Sequence, residues 1–239
     1  MAFVAGRRAK VLIGEFDLSA FLNNASAART ADLADVSVFG DTDREFLKTM
    51  QAATVTLSGF IDTVAGATEP VLSSFLTGTS TRPVSIFWDA DAIGSPGICG
   101  AGWEGSYEDS APVDGVQAIA ANLSFTGQVD RAVSLHALGA ETGTGAYASV
   151  DNGASSSNGA VAVLHVTAAG SSGTGTVAIQ DSADNMTWTP PLTGGTFTNF
   201  TAATSEVIYI SGTIRRYVRA NLTSARNTQT FAVAFGRRP

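Results

Sequence analysis

Hydrophobic and polar residues alternate with period two in two stretches of the chain, and each predicts a strand with one buried face and one wet face. Over 54–61, Thr54, Thr56 and Ser58 fall on one side, and Val55, Leu57 and Gly59 on the other. Over 116–127, Gln117, Ile119, Ala121, Leu123 and Phe125 oppose Val116, Ala118, Ala120, Asn122, Ser124 and Thr126. Shorter strands are expected at 10–14 and 35–39, and the apolar run 83–88 reads as a buried strand. One helix is expected at about 69–77. Thr68 is placed to cap it, Glu69 and Pro70 suit its first turn, Gly78 ends it, and Val71, Leu72, Phe75 and Leu76 form one apolar stripe. The charged segment from Gly40 to Gln51 reads as a turn-rich loop, within which Phe46, Leu47 and Met50 would also suit a short helix over 42–50.

The pattern changes after Leu138. The stretch 139–159 is rich in Gly, Ser, Ala and Asn with little to bury, and it is read as a flexible linker between two domains. Beyond it the chain is again all strand, with elements expected at 160–167, 174–180, 206–211, 214–222 and 229–235. The polar turn that leads from Asp181 to Trp188, among strands at this spacing, resembles small immunoglobulin-like or carbohydrate-module-like sandwiches.

Composition narrows the function. Of 239 residues, 44% are hydrophobic and only 15% charged, which favours β architecture and subunit contacts over a highly charged free monomer. The lone Cys99 excludes an intrachain disulfide framework and a cysteine metal cluster. No run reaches the roughly 18 apolar residues of a membrane helix, and the N-terminus does not read as a secretory signal, so no membrane partner is expected. Residues 1–139 hold 8 Lys+Arg against 16 Asp+Glu, a balance of −8, whereas residues 140–239 hold 6 against 5, a balance of +1. An acidic first part repels nucleic acid, although mild acidity also serves plain solubility.

Candidate chemistry is sparse. His136 and His165 lie in different predicted domains, without metal-ligand spacing or a triad partner. The glycine-rich run at 170–176 lacks the Gly-Lys-Ser/Thr of a phosphate loop. Asp41/Asp43, Asp89/Asp91 and Glu108/Asp109 read as turn acids rather than a glycosidase pair, and Trp88 and Trp103 as core or interface anchors. Arg215, Arg216 and Arg219 fall on two faces of one predicted strand and form no single patch. No enzyme activity, cofactor or metal is expected.

The order of motifs is informative. A strand ending in Asp17-Leu18-Ser19 precedes Val38-Phe-Gly-Asp-Thr42, then the strand from Thr54 to Asp62, the helix, and the closing strand from Asp114-Gly-Val116 to Gly127. Over about residues 8–138 this order resembles the tail tube (major tail) proteins of long-tailed bacteriophages. The alanine-rich stretch 21–35 departs from that family's usual acidic and β-branched residues.

The resemblance implies a tail-tube-type, barrel-forming domain over 1–138; with the linker over 139–159 and the β-sandwich over 160–239, expected to decorate the tube's outside, the whole reads as an all-β fold with one flanking helix. It implies six copies in a ring, each lending four strands to a barrel of about 24 strands, with rings stacked head to tail as the conduit for DNA ejection. Gly40, Asp41, Arg44, Phe46, Leu47 and Met50 are then expected at subunit interfaces, because a free loop has little reason to display three large apolar residues. Thr54, Thr56, Ser58, Asn122, Ser124 and Thr126, with Asp62 as the acid, are expected to face the lumen. The implied partners are other copies of the chain, a tape measure, a tail terminator, a baseplate or initiator, and DNA passing without tight binding. The implied location is the virion tail, after synthesis in the host cytoplasm. Two other classes share parts of this pattern: a ring protein of a contractile secretion system, and a virion-borne or secreted protein that makes weak glycan or cell-surface contact through 160–239.

Overall fold

The computed structural model describes residues 6–40 and 42–238, with Gln128 described by its backbone alone. The elements in chain order are β1 Lys10–Ile13, β2 Phe16–Asp17, β3 Leu22–Asp35, β4 Phe46–Phe60, α1 Thr68–Leu76, β5 Arg82–Phe87, β6 Pro96–Ser110 and β7 Ala118–Glu141. There follow β8 Gly145–Ala146, β9 Val150–Asp151, β10 Ala160–Ala169, β11 Thr176–Ser182, β12 Thr204–Ile210, β13 Tyr217–Ser224 and β14 Gln229–Arg237. The fold is all-β with one flanking helix, and the paired strands of both sheets are antiparallel.

The 24-residue strand β7 is the spine. Along one side it pairs with β6 almost throughout, from Ser110↔Ala118 to Pro96↔Val133. Along the other side it pairs first with β4, from Phe60↔Ala118 to Thr54↔Ser124, and then with β14, from Gly236↔Ala132 to Gln229↔Glu141. The sheet therefore forks at β7. One branch runs through β4 to β3, and the other through β14 and β10 to β12.

The alternation of β4 is realised as drawn in the sequence: Ala53, Val55, Leu57 and Gly59 are buried, while Thr54 and Thr56 are exposed. Beneath the sheet, Val71, Leu72 and Phe75 of α1 pack on Val55, Leu57, Ala121 and Leu123. Each such aliphatic side chain contributes roughly 1.5–3 kcal/mol by leaving water. Gly59 is required by a close approach: a Cβ there would run into the carbonyl of Phe21 and the Cα of Leu22, where the chain enters β3.

Three local expectations are corrected. Phe46, Leu47 and Met50 lie at the start of β4, not in a helix over 42–50, because β3 offers that segment a continuous ladder down to Asp35↔Phe46. An isolated turn of helix there would have had no partner face. No strand spans 35–39; β3 ends at Asp35, whose carboxylate accepts the Ser37 N–H and Oγ–H. Thr68 is the first residue of α1 and does not cap it; its hydroxyl donates to the Phe60 carbonyl at 2.8 Å and accepts from the Asp62 N–H at 3.1 Å, pinning the helix to the end of β4.

The stretch 139–159 is held at several points. Residues 139–141 continue β7 against β14, and β8 and β9 pair with β13. Arg216 makes a two-pronged contact with the Asp151 carboxylate, both prongs 2.7 Å. The C-terminal strands build their own core around Phe197, Phe200, Phe231 and Phe235. A smaller cluster joins the two regions: Val161, Val163, Ala232 and Ala234 pack on Leu12, Phe87, Cys99 and Ala132.

Candidate self-assembly surface

Four strands, β3–β4–β7–β6, form a sheet whose inner face lies on α1 and whose outer face is open. The register sets Thr54 opposite Ser124 and Thr56 opposite Asn122, so the polar positions of β4 and β7 share that open face. Side-chain hydrogen bonds lace it together. Thr56 Oγ1 donates to Asn122 Oδ1 at 2.9 Å, and Asn122 Nδ2 donates to Ser106 Oγ at 2.9 Å. Ser58 Oγ donates to Asn23 Oδ1 at 3.2 Å, and Ser58 is half-buried. Thr126 is exposed opposite Ala101. The one large group in this register is Trp103, opposite Ser124 and 39% exposed.

Asp62 lies apart from these six, past the end of β4. Its Oδ1 accepts the Val64 N–H at 2.9 Å, and its carbonyl accepts from Glu69 at the start of α1. Its visible role is to shape the turn between β4 and the helix.

Both margins of this four-stranded unit are open. β3 pairs only with β4, and β6 beyond Gly102 pairs only with β7, so among the described residues Trp103–Ser110 has no strand on its other side. Unpaired margins of this length are templates for another strand, and natural proteins cover, shorten or charge such edges unless they are used.

The β3–β4 hairpin projects beyond the unit. Phe46, Leu47 and Met50 are 53%, 59% and 74% exposed, with Leu33 and Phe39 also exposed nearby. Gly40 sits in the connecting loop at φ 112°, and Arg44 is exposed beside it. Asp41 lies outside the described residues.

The remaining chemical groups serve the fold. His165 is fully buried between Gly14 and Ser85, and burial pushes its pKa down to about 4, so it is neutral. His136 stacks on Phe231 with ring centroids 4.3 Å apart. Burial raises the Cys99 thiol far above its usual range. Glu104 is buried beneath the sheet with neither carboxylate oxygen hydrogen-bonded; desolvation, opposed by Arg82, pushes it up to about 8. Arg82 donates to the Val71 carbonyl and Ser74 Oγ and lies over the Phe75 ring, tying α1 to β5. Among the described residues no group of three or more His, Cys, Asp or Glu is arranged to hold a metal ion.

Reading the sequence missed the two strands that make the open margins. β3 is alanine-rich and β6 glycine-rich, so neither shows the β-branched signature of a strand. The available signal in β6 was Trp103 among small residues.

No protein-family model matches the chain, and no curated protein matches it. Solved structures do. A chain of the virion of a native gene transfer agent particle is 14% identical over 54% of this chain and 98% of its own, with a TM-score of 0.45. The SPP1 tail tube protein is 11% identical over 52% of this chain and 77% of its own, with a TM-score of 0.44. The SPP1 Dit protein, described as a hub adsorption apparatus component of phages infecting Gram-positive bacteria, is 11% identical over 95% of this chain and 97% of its own, with a TM-score of 0.37.

Proposed function

We propose that the chain is a structural protein of a phage virion tail, whose copies join sheet margin to sheet margin into a ring and whose rings stack into a tube that conducts DNA. The observation that carries this reading is the four-stranded unit: two open margins, one face buried on α1, and one exposed face of hydroxyls and amides. Joining β3 of one copy to the Trp103–Ser110 margin of the next would satisfy both margins at once. Repeated around a ring of six, it closes a barrel with no free edge. The motif order seen in the sequence agrees with this reading.

In such a ring the outer face of the unit becomes the lumen wall. Thr54, Thr56, Ser58, Asn122, Ser124 and Thr126 suit that place, since they are small, neutral and hydrated. They offer DNA phosphates no cation to hold, so DNA slides without tight binding. The exposed hairpin with Phe46, Leu47 and Met50 seats against a neighbouring copy, where its apolar side chains leave water. Residues 160–239 then ride on the outside of the wall. The tape measure occupies the lumen before ejection, and a terminator and a baseplate or initiator close the two ends.

Negative-stain electron microscopy of the purified chain, alone and with its tail initiator, tests this directly. Rings or tubes are expected. A species that stays monomeric at all concentrations, in both conditions, overturns the reading.

A further inference from the structure

The two sides of the molecule's charge are segregated along β7. Arg82 is the only Lys or Arg between Thr49 and Asp130. Within that stretch Glu108, Asp109 and Asp114 cluster around the β6–β7 turn, at the end of the spine that begins with Ala118, and all three are exposed.

The middle of β7 borders a basic region. Where β4 leaves the spine after Ser124 and β14 joins it at Ala132, the seven residues Phe125–Arg131 have no strand partner on that side. A groove of about 670 Å³ opens there, lined by Arg29, Lys48, Arg131, Arg237 and Arg238 with the single acid Asp130. Arg237 is committed to the carbonyls of Arg215 and Ala154, and Arg238 reaches Asp130 at 3.8 Å. The side chains of Arg29, Lys48 and Arg131 are exposed and make no ion pair or side-chain hydrogen bond among the described residues. In a chain of net charge −7, a groove with five cations around one acid calls for an anionic occupant.

We infer that this groove receives the acidic β6–β7 turn, Glu108 to Asp114, of a second copy of the chain. The turn precedes Ala118, the first residue of β7, and the groove lies at Phe125–Arg131 of the same strand, so a copy displaced along the direction of β7 brings its turn to its neighbour's groove. The contact is head to tail, and it repeats without limit. It rests on the reading of the chain as a tube protein, and it names the electrostatic part of the stacking contact. Opposite charges placed this way fix orientation as well as attraction, because a copy stacked upside down would set acid against acid.

Charge reversal tests it. Lys48→Glu with Arg131→Glu reverses the groove, and Asp114→Lys reverses the turn; all three positions are exposed and lie off the β3 and Trp103–Ser110 margins that close the ring, and thermal melting verifies each fold. Each reversed variant alone is expected to shorten tubes and lower the stacked fraction about tenfold at low salt, and an equimolar mixture of the two is expected to restore stacking. If a reversed variant melts early, Lys48→Gln with Arg131→Gln, or Asp114→Asn, replaces it with the same expectation. Wild-type tubes together with undisturbed stacking in either variant overturn the inference and leave the tube reading intact. Loss of stacking in both variants without restoration in the mixture also overturns it, since the groove and turn are then not partners. A wild-type chain that never assembles removes both readings.

Discussion

The Nδ1–H of His165 donates to the Gly14 carbonyl at 2.6 Å, joining the C-terminal strand β10 to the tight turn between β1 and β2. On the other side of the ring Nε2 accepts the Ser85 hydroxyl at 2.8 Å. The neutral imidazole therefore has both nitrogens satisfied in a site that water does not reach. Charging it would bury an ion, and this outweighs the Gly14 carbonyl's preference for the charged ring, which is why its pKa falls to about 4 from an ordinary 6.5.

This sets a pH dependence. The unfolded chain takes up a proton on His165 near pH 6.5, and the folded chain does so only near pH 4. The stability that His165 contributes is thus whole above pH 6.5 and falls as pH drops from 6.5 to 4, by an amount of about 3 kcal/mol. Thermal melting of wild type and His165→Gln between pH 4 and 8 should show that slope in their difference: the variant melts below wild type at neutral pH, and the gap narrows as pH falls to 4.

Glu104 predicts the opposite trend. Its carboxyl is protonated in the fold up to about pH 8, whereas in the unfolded chain it ionises near 4.5. A raised acid pKa gives stability that is whole below pH 4.5 and is lost as pH rises through 8. Glu104→Gln keeps the shape and removes the titration, so the variant should melt above wild type at pH 9 and differ little at pH 4. An unchanged difference across that range would refute the assignment.

Much of this fold was legible in the sequence, and for a physical reason. Val55, Leu57, Ile119, Ala121 and Leu123 alternate with polar residues because one face of their sheet lies on α1 and the other is wet. The helix stripe at Val71, Leu72 and Phe75 was equally plain. What stayed hidden is what depends on pairing across the chain. Asp35↔Phe46 turns an expected helix into a strand, and local pattern carries no record of that partner. The groove draws Arg29, Lys48, Arg131, Arg237 and Arg238 from four separate stretches, so no spacing announces it. The polar face was legible; the open margins that give it meaning were not, because alanine in β3 and glycine in β6 look like loop.

Truncation after Leu138 should destabilise the remaining chain. It removes β14 from the 132–138 segment of the spine and strips Val161, Val163, Ala232 and Ala234 from Leu12, Phe87 and Cys99. It also leaves the Gly14 carbonyl and the Ser85 hydroxyl without His165. Exposing that apolar cluster alone costs several kcal/mol, at about 25 cal/mol per Å². The truncated chain should melt well below the full chain and bind a hydrophobic dye; equal melting temperatures would show that the two regions are energetically independent.

Phe46→Ala with Leu47→Ala separates assembly from folding. Both side chains are more than half exposed, at 53% and 59%, and neither belongs to a buried cluster, so the isolated chain should lose no more than about 0.5 kcal/mol. If the hairpin seats on a neighbouring copy, the same two side chains are buried there, and truncating them removes roughly 1.5–3 kcal/mol each from every contact. A contact repeated around a ring and along a tube multiplies that loss, so the double variant should fold normally yet give few or short tubes in micrographs. Rings that form but no longer stack would place the hairpin between rings, and chains that no longer form rings would place it within one. Tubes of wild-type length and number would show that the exposed hairpin is not an assembly contact.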